Sequence, residues 1–363
     1  MRRRARRGAS AAFIAALALL AAAPLAAGAY DPLGSGTTKL TLDPGFLALL
    51  RHNQVKLRAI APAKLVGNVV SFPLAGGKFD PVAARGTLEH EGGLFLQAGP
   101  RKLPLRSLQL KTTQRHAPFS VKAGGSQMKL ASVDGLAVSR QAFGERIDAS
   151  GLELSTKLAT RLGKKLDRRG LFKAGQPLGR VRSTAQPETI AVLGRGRASL
   201  TLDPGILAKL GSLFVAVNPI FPAEHPGAEF TLPIFGGTIA PDGAQGTIET
   251  AGALEFLQQG GGQLFWREGR LELGAATASA EVEAAPAPPF AGKLGRIAIA
   301  SLAPGAVAAD PKARTVRVSA AALALSAASA ATFNELFARP QGKEGVFVAG
   351  EPLGTVSFTA QGQ

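Results

Sequence analysis

Four histidines, one tyrosine, one tryptophan and no cysteine are the residues of this 363-residue chain on which specialised chemistry can rest. Without cysteine there are no disulfides and no thiolate metal sites. A neutral imidazole is a common metal ligand, so His52, His90, His116 and His225 set the range of metal chemistry. They are scattered, however: no His-x-x-x-His, His-Glu-x-x-His or calcium loop of alternating carboxylates gathers them. Glu89 and Glu249 are the only acidic pair retained in both copies of a duplicated sequence at an equivalent strand position, and two lone carboxylates in separate domains cannot form one acid/base pair. No serine stands in Gly-x-Ser-x-Gly, and no Ser-x-x-Lys is followed by the rest of its set. Gly260-Gly261-Gly262 lacks the Lys-Ser/Thr of a phosphate loop and reads as a hairpin ahead of Trp266, itself read as a core or interface aromatic. The expectation is a protein that is not an enzyme.

The elements that must position these residues come in two copies. Leu40-Thr41-Leu42-Asp43-Pro44-Gly45 returns as Leu200-Thr201-Leu202-Asp203-Pro204-Gly205, and Gly86-Thr87-Leu88-Glu89 returns as Gly246-Thr247-Ile248-Glu249. Ala174-Gly175-Gln176-Pro177-Leu178-Gly179 matches Ala349-Gly350-Glu351-Pro352-Leu353-Gly354. So long a period means tandem domains rather than a solenoid, whose repeats run at roughly 20–50 residues. Short alternating runs such as Val69 to Leu74 and Arg314 to Val318, punctuated by glycine turns, predict antiparallel strands. Asp43-Pro44 and Asp203-Pro204 predict a capped helix early in each copy, and Ser155 and Ser326 begin a later one. The fold class expected is all-β: two tandem antiparallel β-sandwich domains with short edge helices. The boundaries are a signal peptide at 1–29, a first repeat at 37–187, a linker at 188–198 and a second repeat at 199–363, with Ala284 to Pro289 as an extended insertion.

The first 29 residues carry five arginines, an apolar stretch from Ala11 to Ala23 and the small residues Ala27-Gly28-Ala29, the pattern of an export signal cleaved before Tyr30. No later segment resembles a membrane span, so the expected location is extracytoplasmic, secreted or associated with the cell envelope. The net charge is +17, or +12 once the five signal arginines are set aside. Such a basic exported chain suits an anionic cell-envelope polymer as partner. Nucleic acid is excluded as partner, since arginines and aromatics are not interleaved and no reading-helix motif is present.

With this layout assembled, the chain resembles the HtaA-like domain family of exported actinobacterial haem-uptake and cell-surface proteins. The resemblance rests on Phe72-Pro73-Leu74-Ala75-Gly76-Gly77, Leu232-Pro233-Ile234-Phe235-Gly236-Gly237, Gly86 to Gly93, and the run Ala331 to Gly354. It implies a β-sandwich domain and, in haem-binding members, a tyrosine on the early helix as axial iron ligand, supported by a histidine. Here Leu49 and Lys209 fall where that tyrosine would stand, and Tyr30 lies outside both repeats. An imidazole can serve as axial ligand instead. His52, at the end of the early helix, is the first candidate; Arg115-His116 is the second, a pair able to hold a propionate and iron. The alternative for His52 is a helix C-cap, and for His90 a surface or edge position. The expected function is therefore an exported non-enzymatic binding or envelope protein. Haem binding through a substituted histidine, a hydrolase with an unrecognised site, and a carrier of an apolar molecule between the sheets stand as alternatives.

Overall fold

The computed structural model describes residues 30–112, 117–123, 125–285 and 292–363. The signal segment 1–29, Arg115, His116 and the insertion from residue 286 onward lie outside the described residues. The first domain contains β1 (Asp31–Leu42), α1 (Pro44–His52), β2 (Val55–Ile60), β3 (Lys64–Val66), β4 (Val69–Asp80), β5 (Arg85–His90), β6 (Gly93–Ala98), β7 (Arg101–Lys111), β8 (Ala117–Ala123), β9 (Ser126–Gln141), β10 (Gly144–Leu154), α2 (Thr156–Leu166) and β11 (Pro177–Pro187). The second contains β12 (Ile190–Leu202), α3 (Pro204–Ser212), β13 (Val215–Ile220), β14 (Phe230–Ile239), β15 (Gly246–Thr250), β16 (Ala253–Gln258), β17 (Gln263–Glu272), β18 (Thr277–Ala285), β19 (Gly292–Leu302), β20 (Ala306–Asp310), β21 (Thr315–Leu325), α4 (Ala327–Phe333) and β22 (Pro352–Gly362).

The expected all-β, antiparallel, two-domain architecture is what folds. The two layers of each domain belong to one continuous ladder. In the first domain the path β7-β5-β4-β1-β11-β10-β9-β8 returns to β7 through Leu105↔Ala123 and Leu110↔Phe119. In the second, β17-β15-β14-β12-β22-β21-β19-β18 returns to β17. Closure leaves no free edge on the ring itself; β6 and β2 extend the first sheet beyond it, as β16 and β13 extend the second. Alternation decides what goes inside: along β21, Val316 and Val318 are buried while Arg317 faces water.

The helices seal the barrels as their caps predict. Asp43 accepts from Phe46 N at 3.0 Å, and Phe46 and Leu50 bury one face of α1. Ser155 and Ser326 each accept from the third residue of their helix and donate to a strand carbonyl, of Lys129 and Ala298. One cap thus fixes both the helix start and its seat on the sheet.

The linker is corrected. Residues 190–198 run inside β12, which pairs with β14 and β22, and the first domain's sheet begins at Asp31 rather than 37. Ile190 and Val192 are buried, but the ladder is irregular between Ala191 and Arg197, and that interruption gave the segment its loop-like composition. Only Glu188 and Thr189 separate β11 from β12. The domains are joined tightly. Arg314, on the β20–β21 turn, reaches into the first domain, donating to Phe143 O at 3.1 Å and lying 3.5 Å from Asp31 Oδ2 and 3.8 Å from Glu145 Oε1. Asp31 Oδ1 in turn accepts from Ala191 N at 2.9 Å, and Phe143 packs into the second domain's core. Asp31, Glu145 and Arg314 are all buried.

This geometry can be tested at a glycine and at the domain junction. A Cβ on Gly179, whose φ is +135°, would collide with Thr41 O, and Gly354 repeats that close approach in the second domain. Gly179→Ala should cost about 3 kcal/mol or more in urea unfolding, whereas Gly170→Ala, at φ +78° with nothing within 4 Å, should cost only about 1–2 kcal/mol. At the junction, burial outweighs the nearby Arg314 and pushes the Glu145 carboxyl up from 4.5 to about 7. A carboxyl raised on folding contributes stability below pH 4.5 that is lost as pH rises through 7, on the order of 3 kcal/mol in total. Glu145→Gln should flatten that decline, read as the unfolding midpoint at a series of pH values.

Candidate functional site

The first domain carries an open groove of about 770 Å³ where α1 meets β2 and β3. Leu47, Leu57 and Leu65 give it an apolar surface over the buried Leu50 and Val55, and Arg51, Lys56 and Arg58 supply cations; no acidic residue is among those that line it. The local sequence dictates this arrangement. Burial of Phe46 and Leu50 turns Leu47 and Arg51 toward the edge strand, and on β2 the cations Lys56 and Arg58 are exposed while Val55 is buried. A volume in the range of about 300–1,000 Å³ suits a small molecule, and an apolar surface bounded by cations suits an amphiphilic anion. The second domain has lost this character: Gly211, Ala216 and Asn218 replace the three cations, and Leu207 and Phe214 are exposed instead.

His52 sits on the last turn of α1 and is exposed. It does not line the groove; at about 100° per residue it lies a further 100° around the helix from Arg51 and about 200° from Leu50. Arg115 and His116, the other proposed pair, lie outside the described residues. Tyr30 is remote, at the opposite end of the 12-residue strand β1 from α1, under Lys78 at 5.0 Å. Lys209, at the second early helix, is held by Glu351 and stacks 5.9 Å from the Phe347 ring centre. Among the described residues no three His, Cys, Asp or Glu side chains are grouped to hold a metal. Glu89 and Glu249 instead take cross-strand partners, Gln109 at 3.2 Å and Arg270 at 2.6 Å.

His90 overturns the surface expectation. Alternation does put it opposite the exposed Glu89 and Glu91, but that opposite face is the barrel interior, where it is buried between Phe72 and Phe119, each with its ring centre 6.3 Å away. Its Nδ1 lies 3.0 Å from Leu108 O and so carries the hydrogen, leaving Nε2 to accept from Thr38 Oγ1 at 2.6 Å. Thr38 then accepts from Ser183 Oγ at 2.7 Å. The sequence signal missed here was the pair of buried hydroxyls, Thr38 and Ser183, directly opposite each other on β1 and β11. His225 is exposed and stacks on Phe230, with ring centres 4.1 Å apart.

Burial lowers the His90 imidazole from 6.5 to about 4. A base depressed on folding contributes stability above pH 6.5 that is lost as pH falls through 4. His90→Phe should cost about 1–3 kcal/mol at pH 7 by orphaning Leu108 O, while removing this acid-side loss. Glu145 gives the opposite slope over an overlapping window, so the His90 contribution should be read from the difference between variant and wild-type unfolding curves.

No protein-family model matches the chain, and no curated protein matches it. Solved structures do. The chain is similar to the N-terminal domain of HtaA from Corynebacterium glutamicum, at 15% identity and a TM-score of 0.37, over 47% of this chain and 99% of that one. It is similar to the C-terminal domain of the same protein at 11% identity and a TM-score of 0.35, over 43% of this chain and 98% of that one. Its own ladders make the chain an all-β, two-domain protein.

Proposed function

We propose that this chain is an exported, non-enzymatic binding protein that captures an amphiphilic anion in the groove beside α1, with the second domain serving as a structural partner. One observation carries the reading: an apolar surface edged by Arg51, Lys56 and Arg58 with no carboxylate among the lining residues. Cations so placed attract an anionic ligand over a Debye length of about 8 Å at physiological salt, and the leucines then bury its apolar part. The extracytoplasmic location rests on the arginine-rich, alanine-rich leader in the sequence. Among the described residues no helix is long and apolar enough to cross a membrane.

Haem belongs to this ligand class, and the resemblance to haem-uptake domains makes it the first ligand to try. The groove offers apolar side chains toward its ring and cations toward its propionates. It does not fit its iron, because no histidine, tyrosine or methionine lines the groove. Ligation through His52 requires the last turn of α1 to rearrange. The proposed mode is therefore capture by the ring and carboxylates alone. An anionic envelope polymer is the second reading, favoured by the +12 charge outside the leader.

Titration of haemin and of metal-free protoporphyrin IX into the chain from Tyr30 onward separates these modes. Both porphyrins should bind saturably with affinities within a few-fold of each other. His52→Ala should leave haemin binding unchanged, and the double change Arg51→Glu, Arg58→Glu should weaken both porphyrins by about tenfold or more, on the order of 1.4 kcal/mol. Haemin binding lost in His52→Ala would instead establish histidine ligation. Binding indifferent to the charge reversal would remove the groove as the site.

A further inference from the structure

The two barrels are filled differently, and the ladders show which residues correspond. Leu88↔Leu110 and Glu89↔Gln109 in the first domain match Ile248↔Leu271 and Glu249↔Arg270 in the second, so Leu108 corresponds to Gly269. By the same registers Phe119 corresponds to Ala278, Val121 to Ala280, and Leu105 to Trp266. The repeat offset equates Thr38 with Ala198, Phe72 with Leu232 and His90 with Thr250. The rings of Phe72, His90 and Phe119, which pack edge-on in the first barrel, have thus become Leu, Thr and Ala. Thr250 Oγ1 takes over one duty, donating to Gly269 O at 3.2 Å as His90 does to Leu108 O. It does not take over the volume. Trp266 and Phe358, larger than Leu105 and Ser183, restore only part of it.

A cavity of about 70 Å³ results, bordered by Ala198, Thr250, Trp266, Leu271, Ala278 and Val356. That is several times the roughly 10–15 Å³ needed for one water and about half of a cavity known to admit benzene. Arg270 and Ser279, cross-strand partners where the ladder is irregular, also border it, and Arg270 Nε and Ser279 Oγ are buried there without a hydrogen-bond partner among the described residues. The Thr250 hydroxyl is already engaged. A water at that edge finds Arg270 Nε and Ser279 Oγ, while the rest of the border is almost wholly aliphatic or aromatic and favours apolar occupants.

We propose that the interior of the second barrel is a binding site for a small uncharged apolar molecule of a few heavy atoms, distinct from the surface groove of the first domain. Its size excludes a porphyrin or a lipid chain. Leu232 and Ile299, partly exposed at its border, mark the way in.

Trp266 is the chain's single tryptophan and borders the cavity, so it reports occupancy directly. Xenon is the probe, applied over a range of pressures to the full chain from Tyr30 onward while tryptophan fluorescence is recorded. Saturable quenching is expected in the wild type. Ala278→Phe, which returns the ring present in the first barrel, should abolish the saturable component. Ala278→Leu provides a milder filling should the phenylalanine variant fail to fold. Quenching that rises linearly without saturation in the wild type, or that saturates alike in a folded filled variant, would overturn the assignment.

Discussion

The pairing of β7 with β8, and of β17 with β18, turns each sheet into a closed ring, and everything else in the molecule answers to that closure. Once a sheet closes, inward side chains from opposite walls share one fixed space. A change of size at one position must be met from the far wall or left as a void. In the first barrel aromatic rings and a buried imidazole meet that demand, and the imidazole brings its own hydrogen-bond partners because an unpaired polar group there is costly. In the second barrel smaller residues face one another, and the void remains. Both outcomes are stable answers to the same ladder.

Closure also sends function outward. With the ring interior committed to packing, a site for a sizeable ligand lies on the outside, and the edge strand β2 beside α1 is one such place. The cations there belong to the first domain alone. The second domain keeps the helix, the cap and the edge strand of that region but not the charge, so its resemblance to the first is one of scaffold. Arg314 then ties the two scaffolds together through a buried pair of carboxylates, both of which burial makes harder to ionise. A short connection and a shared core residue, Phe143, leave the domains little freedom to separate.

Features decided within a few residues were legible in the sequence. Asp43, Asp203, Ser155 and Ser326 cap helices as their neighbours require, and alternation exposed the strands. Features decided across the sheet were hidden. Ring closure depends on which strands meet, and no local pattern records that. Gly194 to Arg197 read as linker because an irregular ladder tolerates glycine and arginine inside a strand. His90 was assigned to the correct face but to the wrong environment, since alternation gives sidedness and not which side is wet. The groove is a similar case: Arg51 on a helix and Lys56 and Arg58 on a strand become one charged surface only after α1 packs on β2.

Duplication explains why these differences survive. Two copies of one closed ladder can share the demands that one copy would have to satisfy alone. The first barrel, densely packed around Phe72, His90 and Phe119, can support a charged groove on its edge, because mutual repulsion among three exposed cations costs little against a well-filled core. The second barrel, relieved of that groove, can leave a packing defect inside. A void of this size costs on the order of 2 kcal/mol at about 24 cal/mol per Å³. The aromatic cluster of Phe256, Trp266, Phe333, Phe337 and Phe347 lies in the same core and provides dense packing beside the void. The defect is therefore local, confined to the wall where Ala278 and Thr250 stand in place of the first barrel's rings.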